Sequence, residues 1–210
     1  MRILFIGNSF TARNNVPALI AQLAVSRGKE LQHKLISAGG ASLRMHWNKG
    51  DAQKALDKTR YDYVVLQEQS TLPIKNAQRM QENIRLFDEA IKSSGAKTAL
   101  YLTWARQNVP ETQEALTKAY ATVGEELGAT IVPVGVAWQE FIRKHDRPVL
   151  HDKDMSHPTL AGSYLAASVF FAVLFEESPV GIASDSKGLT QAEAELLQKA
   201  AWTTVGPSIT

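Results

Sequence analysis

The chain contains no cysteine, which excludes disulfides, thiolate nucleophiles and cysteine-ligated metals. The redox compartment stays open, because a cysteine-free chain is stable in any of them. Neither sign of charge is in excess: 23 Lys and Arg stand against 21 Asp and Glu, a net charge of +2. The basic residues are scattered rather than clustered, so nothing implies a nucleic acid or an anionic membrane as partner. No run approaches the roughly eighteen apolar residues of a membrane span. A leader pattern is missing as well, since one Arg precedes just four apolar residues before Gly7 and Asn8 interrupt them. On that reading the protein stays in the cytoplasm, and it is periplasmic or secreted if a leader precedes Met1 in the natural chain. There is no internal repeat, low-complexity tract or interdomain linker. The expectation is therefore one domain over residues 1–210, long enough for a substantial core.

What is present begins with Ile3, Leu4, Phe5 and Ile6, a short apolar run stopped by Gly7-Asn8-Ser9. Such a run reads as a strand buried on both faces. Gly7 is expected to turn the chain sharply by adopting positive φ, placing Ser9 on a tight turn at the strand's carboxyl end. Four further strands are expected over 31–37, 61–67, 97–103 and 130–134. Helical spacing is read over 16–27, 52–58, 77–92, 136–144, 159–175 and 191–201, with another helix opened by Pro110 and closed by Gly128. A Gly-, Ser- and Asp-rich loop is expected before the last helix. Strands alternating with helices predict an α/β fold: a three-layer αβα sandwich on a five-stranded parallel sheet. The sheet is expected to be flavodoxin-like, with strand order 2-1-3-4-5. In such sheets the chemistry sits outside the carboxyl ends of the strands.

Ser9 by itself is equally a helix cap or a phosphate-loop hydroxyl. A second stretch, Asp154-Met155-Ser156-His157-Pro158, raises its standing. An Asp three residues before a His within a turn can reach the imidazole Nδ1, fix the tautomer and stabilise the imidazolium. A serine hydroxyl needs such a base, because it is barely ionised at neutral pH. Pro158 biases His157 towards extended backbone and suits the first turn of the next helix. The alternative for His157 is a buried or capping histidine. Two more segments end strands on the same sheet edge. Gly39-Gly40-Ala41-Ser42 follows the second strand, where glycine lets a backbone N–H approach a ligand. Gln67-Glu68-Gln69-Ser70 follows the third and offers side-chain amides. Donors aimed at a developing oxyanion are usually the largest catalytic contribution.

Gly7-Asn8-Ser9-Phe10-Thr11, Gly40-Ala41-Ser42, the loop after the third strand, and Asp154-Met155-Ser156-His157-Pro158 together resemble the ordered blocks of the SGNH/GDSL hydrolase superfamily. The resemblance spans about three-quarters of the chain. It implies an αβα esterase or acylhydrolase, often one that removes acyl groups from carbohydrates, with neither metal nor organic cofactor. Carried over, Ser9 is the nucleophile, His157 the base and Asp154 its orienting acid. The N–H groups of Ser9 and Gly40 belong to the oxyanion hole. Asn8 replaces the family's usual Asp. The third block departs further: where the family supplies an Asn after a glycine, this chain has Gln67-Glu68-Gln69. Gln69 is taken as the amide donor, with Gln67 in reserve.

Other residues invite a role in substrate binding. His46-Trp47 follows the second block and could line a pocket. Trp104-Ala105-Arg106 follows the fourth strand, where Trp104 would suit a sugar face and Arg106 an anionic group; a packed Trp and a solvated Arg are the plainer readings. His151, Asp152, Asp154 and His157 crowd into seven residues without the spacing of a metal motif, so no metal is expected. The sequence therefore predicts a serine-dependent ester hydrolase acting on a small-molecule or glycan ester. Two alternatives stand beside it. One is a flavodoxin-like protein using Asn8, Ser9 and Thr11 on a phosphate or nucleotide. The other is a carbohydrate-binding pseudoenzyme of the same fold. The oligomeric state is left open.

Overall fold

A computed structural model describing residues 1–184 and 188–206 places the first strand between the second and the third of a five-stranded sheet. In chain order the elements are β1 (Arg2–Gly7), α1 (Ser9–Ala12), α2 (Val16–Ser26), β2 (Gln32–Ser37), α3 (Leu43–Lys49), α4 (Asp51–Lys58) and β3 (Tyr63–Leu66). They continue with α5 (Leu72–Lys75), α6 (Ala77–Ser93), β4 (Lys97–Tyr101), α7 (Gln113–Leu127), β5 (Thr130–Val132), α8 (Val134–Lys144), α9 (Leu160–Phe175) and α10 (Gln191–Val205). The five strands are parallel and ordered β2-β1-β3-β4-β5. Fold class and strand order are as the sequence predicts.

Strand residues alternate between the two faces, and the core divides accordingly. Ile3, Phe5, Val65, Ala99 and Val132 pack under α2, α8, α9 and α10. Leu4, Ile6, Val64, Leu66 and Leu100 pack under α3, α4, α6 and α7. Both faces of β1 and β3 are covered, which is why those strands read as unbroken apolar runs rather than as alternating ones. Helix α9 is buried almost all round, Ser163 and Ser168 included. No helix among the described residues is long and apolar enough to cross a membrane.

Several boundaries differ from expectation. β5 stops at Val132 because Pro133 has no N–H to continue a ladder, and helix α8 starts directly after it. Helix α3 was not foreseen. Ser42 caps it, Gly50 at φ 76° ends it, and its seven residues bury only Leu43 and His46, too few for a visible period. The short helices α1 and α5 also escape periodicity. The loop expected before α10 includes residues 185–187, which lie outside the described residues.

Candidate active site

β1 and β3 are neighbours at the point where the strand order reverses, so the loops leaving them open a crevice at the sheet's carboxyl edge. Ser9 is the first residue of α1. Asn8 caps that helix, its Oδ1 accepting from Phe10 N at 3.1 Å, while its Nδ2 donates to Ala41 O at 3.1 Å. One side chain thus ties the serine turn to the loop after β2. The second bond needs a donor, which Asn has and Asp lacks. Gly7 makes room here, though not by the expected means: its φ is not positive. A Cβ at Gly7 would lie 2.6 Å from Gln67 Oε1 and 2.8 Å from Thr11 Oγ1. Glycine is required by close approach.

The stretch before α9 brings the imidazole. His157 Nε2 lies 2.8 Å from Ser9 Oγ, and His157 Nδ1 lies 2.5 Å from Asp154 Oδ2. A carboxylate only accepts, so Nδ1 carries the proton and the Nε2 lone pair faces the serine hydroxyl. Asp154 Oδ1 also accepts from the N–H groups of Ser156 and His157 at 3.0 and 2.8 Å. The bond from His157, joined by those backbone bonds, holds the Asp154 carboxyl well below the usual carboxylate range. Met155 between them sits at φ 59°, a left-handed conformation that non-glycine residues rarely adopt. The loop is held from outside. Trp104 Nε1 donates to Ser156 O at 3.0 Å, Gln107 N to Met155 O at 2.9 Å, and His151 Nε2 to Ala105 O at 2.9 Å. Arg13 pairs with Asp152.

Backbone donors face the same edge. Neither Ser9 N–H nor Gly40 N–H has a hydrogen-bond partner among the described residues, and Gly40 sits at φ +66° in an exposed turn. Gln69 turns its Oε1 inward, accepting from Thr71 N and Leu72 N at 2.9 Å each, which leaves the donor end of its amide uncommitted. Gln67 is different. Fully buried, it accepts from Asn8 N at 2.8 Å and Thr11 Oγ1 at 3.0 Å, and donates to Glu68 O. Its amide is spent on bracing the serine turn, so it is no reserve donor and no substrate contact.

Two other candidates are also inside. His46 is buried and donates from Nε2 to Gly7 O at 2.7 Å, so it braces the end of β1 rather than lining a pocket. Trp104 is covered on both faces. Phe10 stacks on it at 4.7 Å and Trp138 at 3.9 Å, so no face is left for a sugar. Phe10 in turn meets the His157 ring edge-on at 5.5 Å. Arg106 is exposed, and its guanidinium has no partner among the described residues. The phosphate-loop alternative loses its contacts, because Asn8 and Thr11 are buried and bonded internally. Among the described residues no three His, Asp or Glu side chains group as metal ligands would.

One residue passed over at the sequence level organises the far wall. Glu68 is fully buried. Its Oε1 accepts from Leu43 N at 2.9 Å and Gln69 N at 2.7 Å, and its Oε2 from Asn83 Nδ2 at 2.9 Å. Arg44 Nε completes the chain on Asn83 Oδ1 at 3.0 Å. Burial pushes the Glu68 carboxyl up, against the pull of Asn83 and the two backbone N–H groups. Its signal was an acidic residue two positions beyond an apolar strand, at the sheet edge that carries the other candidates. It joins the loops after β2 and β3, which carry Gly40 and Gln69.

No family model matches the sequence, and comparison with curated proteins finds no match. Solved structures do match. A protein assigned as an SGNH hydrolase from Slackia heliotrinireducens is 28% identical over 83% of this chain and 98% of its own, with a TM-score of 0.72. A DUF4886 family protein from Bacteroides uniformis is 20% identical over 100% of this chain and 96% of its own, TM-score 0.80. An acetyl-xylooligosaccharide esterase from Geobacillus is 16% identical over 87% and 96%, TM-score 0.70. The last two likenesses are of fold.

Proposed function

We propose that this chain, a member of the SGNH/GDSL hydrolase superfamily, is a serine ester hydrolase with Ser9 as nucleophile, His157 as general base and Asp154 as the acid that orients it. The observation that carries the reading is the continuous contact from Ser9 Oγ to His157 Nε2 and from His157 Nδ1 to Asp154. An ester carbonyl oxygen would sit among the free N–H groups of Ser9 and Gly40 and the Gln69 amide. As Ser9 Oγ attacks the carbonyl carbon, His157 Nε2 takes its proton, and Asp154 stabilises the imidazolium. Collapse of the intermediate breaks the bond to the alcohol, which leaves with that proton. Water then adds to the acyl-enzyme, giving its proton to His157, and the acid departs as Ser9 is reprotonated. Each step is carried by this chain's own residues.

The substrate is a small-molecule or glycan ester. The acyl group we assign is acetyl, supported by fold likeness to acetyl xylan and acetyl-xylooligosaccharide esterases. The test is turnover of p-nitrophenyl acetate by the wild type and Ser9→Ala. Loss of at least a thousandfold in kcat is expected; equal rates would remove Ser9 from the mechanism.

A further inference from the structure

Behind the aromatic stack that backs His157 lies a cavity of about 340 Å³, walled by Trp104, Ala105, Trp138 and Ile142 with Arg106 and Arg143 at its rim. That volume is in the range of small-molecule sites, and its lining is mostly apolar, as such sites are. We propose that this cavity binds a compact apolar group bearing a carboxylate. Two observations carry it, the apolar lining and the state of the two arginines. Arg106 is exposed and its guanidinium is unpaired among the described residues, whereas Arg143 is already bonded to Glu140 at 2.9 Å. One free guanidinium over an apolar floor matches a planar monoanion in bidentate contact; a phosphate dianion would call for a second free cation.

The site adjoins the catalytic loop. Its lining includes Trp104 and His151, and the same segment, through Trp104, Ala105 and Gln107, is bonded to Ser156, His151 and Met155 around Asp154 and His157. The carboxylate has two sources, a second acid group on the ester itself or a free acid. Binding by either is independent of whether Ser9 is a nucleophile.

The experiment titrates the intact protein and Ser9→Ala with 3-phenylpropionate and with its neutral amide, followed by tryptophan fluorescence and calorimetry. The acid is expected to bind at least tenfold more tightly than the amide in both proteins. Arg106→Gln should abolish that preference, and Ile142→Trp, which fills the cavity, should weaken both probes. Equal affinity for acid and amide, a preference that survives Arg106→Gln, or no binding at all would overturn the proposal. Kinetics separates the sources. If the acid is part of the substrate, mono-p-nitrophenyl glutarate exceeds p-nitrophenyl butyrate in kcat/KM, and Arg106→Gln removes the gain. If it is a free acid, 3-phenylpropionate changes kcat for p-nitrophenyl acetate instead. Should neither ester be cleaved while the acid still binds selectively, the esterase reading fails and the cavity assignment stands.

Discussion

Asp154 performs two tasks with two oxygens. Oδ1 accepts two backbone N–H groups and shapes the turn, while Oδ2 faces the imidazole. Asn would keep the first task and fail the second, because its amide nitrogen would present a donor to Nδ1 and favour the wrong tautomer. Asp154→Asn is therefore expected to fold normally by circular dichroism and to lose about three to four orders of magnitude in kcat. An unchanged kcat would show that the imidazole needs no orienting acid. Glu68 titrates in the opposite sense. Burial raises its carboxyl, so the native state holds that proton more tightly than the unfolded chain does. Its contribution to stability is full below the ordinary Glu pKa and declines as pH rises through the raised native value. Glu68→Gln should cost about 1–3 kcal/mol at pH 4, where its amide cannot satisfy Asn83 as the acid's oxygen does. The gap between the two melting temperatures should narrow towards pH 8; a gap that widens with pH would contradict the burial argument. The contact between Asp154 and His157 was legible from sequence because they lie three residues apart, so local geometry suffices. Gln67 and Glu68 were not: their partners Asn8 and Leu43 are 59 and 25 residues away, and an amide beside a carboxylate reads as a solvated loop until the fold brings those N–H groups in.

At the scale of elements, the loop that carries Asp154 and His157 has no regular structure of its own and borrows rigidity from the segment after β4. Trp104 lies sandwiched between Phe10 and Trp138 and donates to Ser156 O. It therefore couples α1, α8 and the loop before α9. Trp104→Ala would open a cavity in that stack and is expected to destabilise by about 3–5 kcal/mol. It should also lower kcat for p-nitrophenyl acetate, because the Phe10 ring that abuts His157 loses its backing. A variant with full activity and an unshifted melting temperature would show that the stack positions nothing. β1 and β3 were readable as short apolar runs ended by polar or turn residues, and α6 and α8 by an apolar face at helical spacing. Helix α3 was not, being short and marked chiefly by Ser42 and Gly50, residues that equally mark loops. The reason for Gly7 was also hidden, since a close approach to Gln67 and Thr11 leaves no trace in local sequence.

At the scale of the molecule, the sheet order does the work that no local motif can. Placing β1 between β2 and β3 makes neighbours of the loops that carry Ser9, Gly40 and Gln69 at the sheet's carboxyl edge. The chain then crosses to β4 and β5, and the segment before α9 returns 148 residues later with His157 beside Ser9. The parallel sheet was legible because strand and helix patterns alternate, which leaves few arrangements, but the order among those few depends on contacts between distant strands that local sequence does not show. The two cores on either side of the sheet share every strand. The most direct measurement of the central claim is labelling with a fluorophosphonate followed by peptide mapping, on the wild type and on His157→Ala. Modification at Ser9 in the wild type, and its loss without the imidazole, is the predicted result. No adduct, or one on another residue, would contradict it.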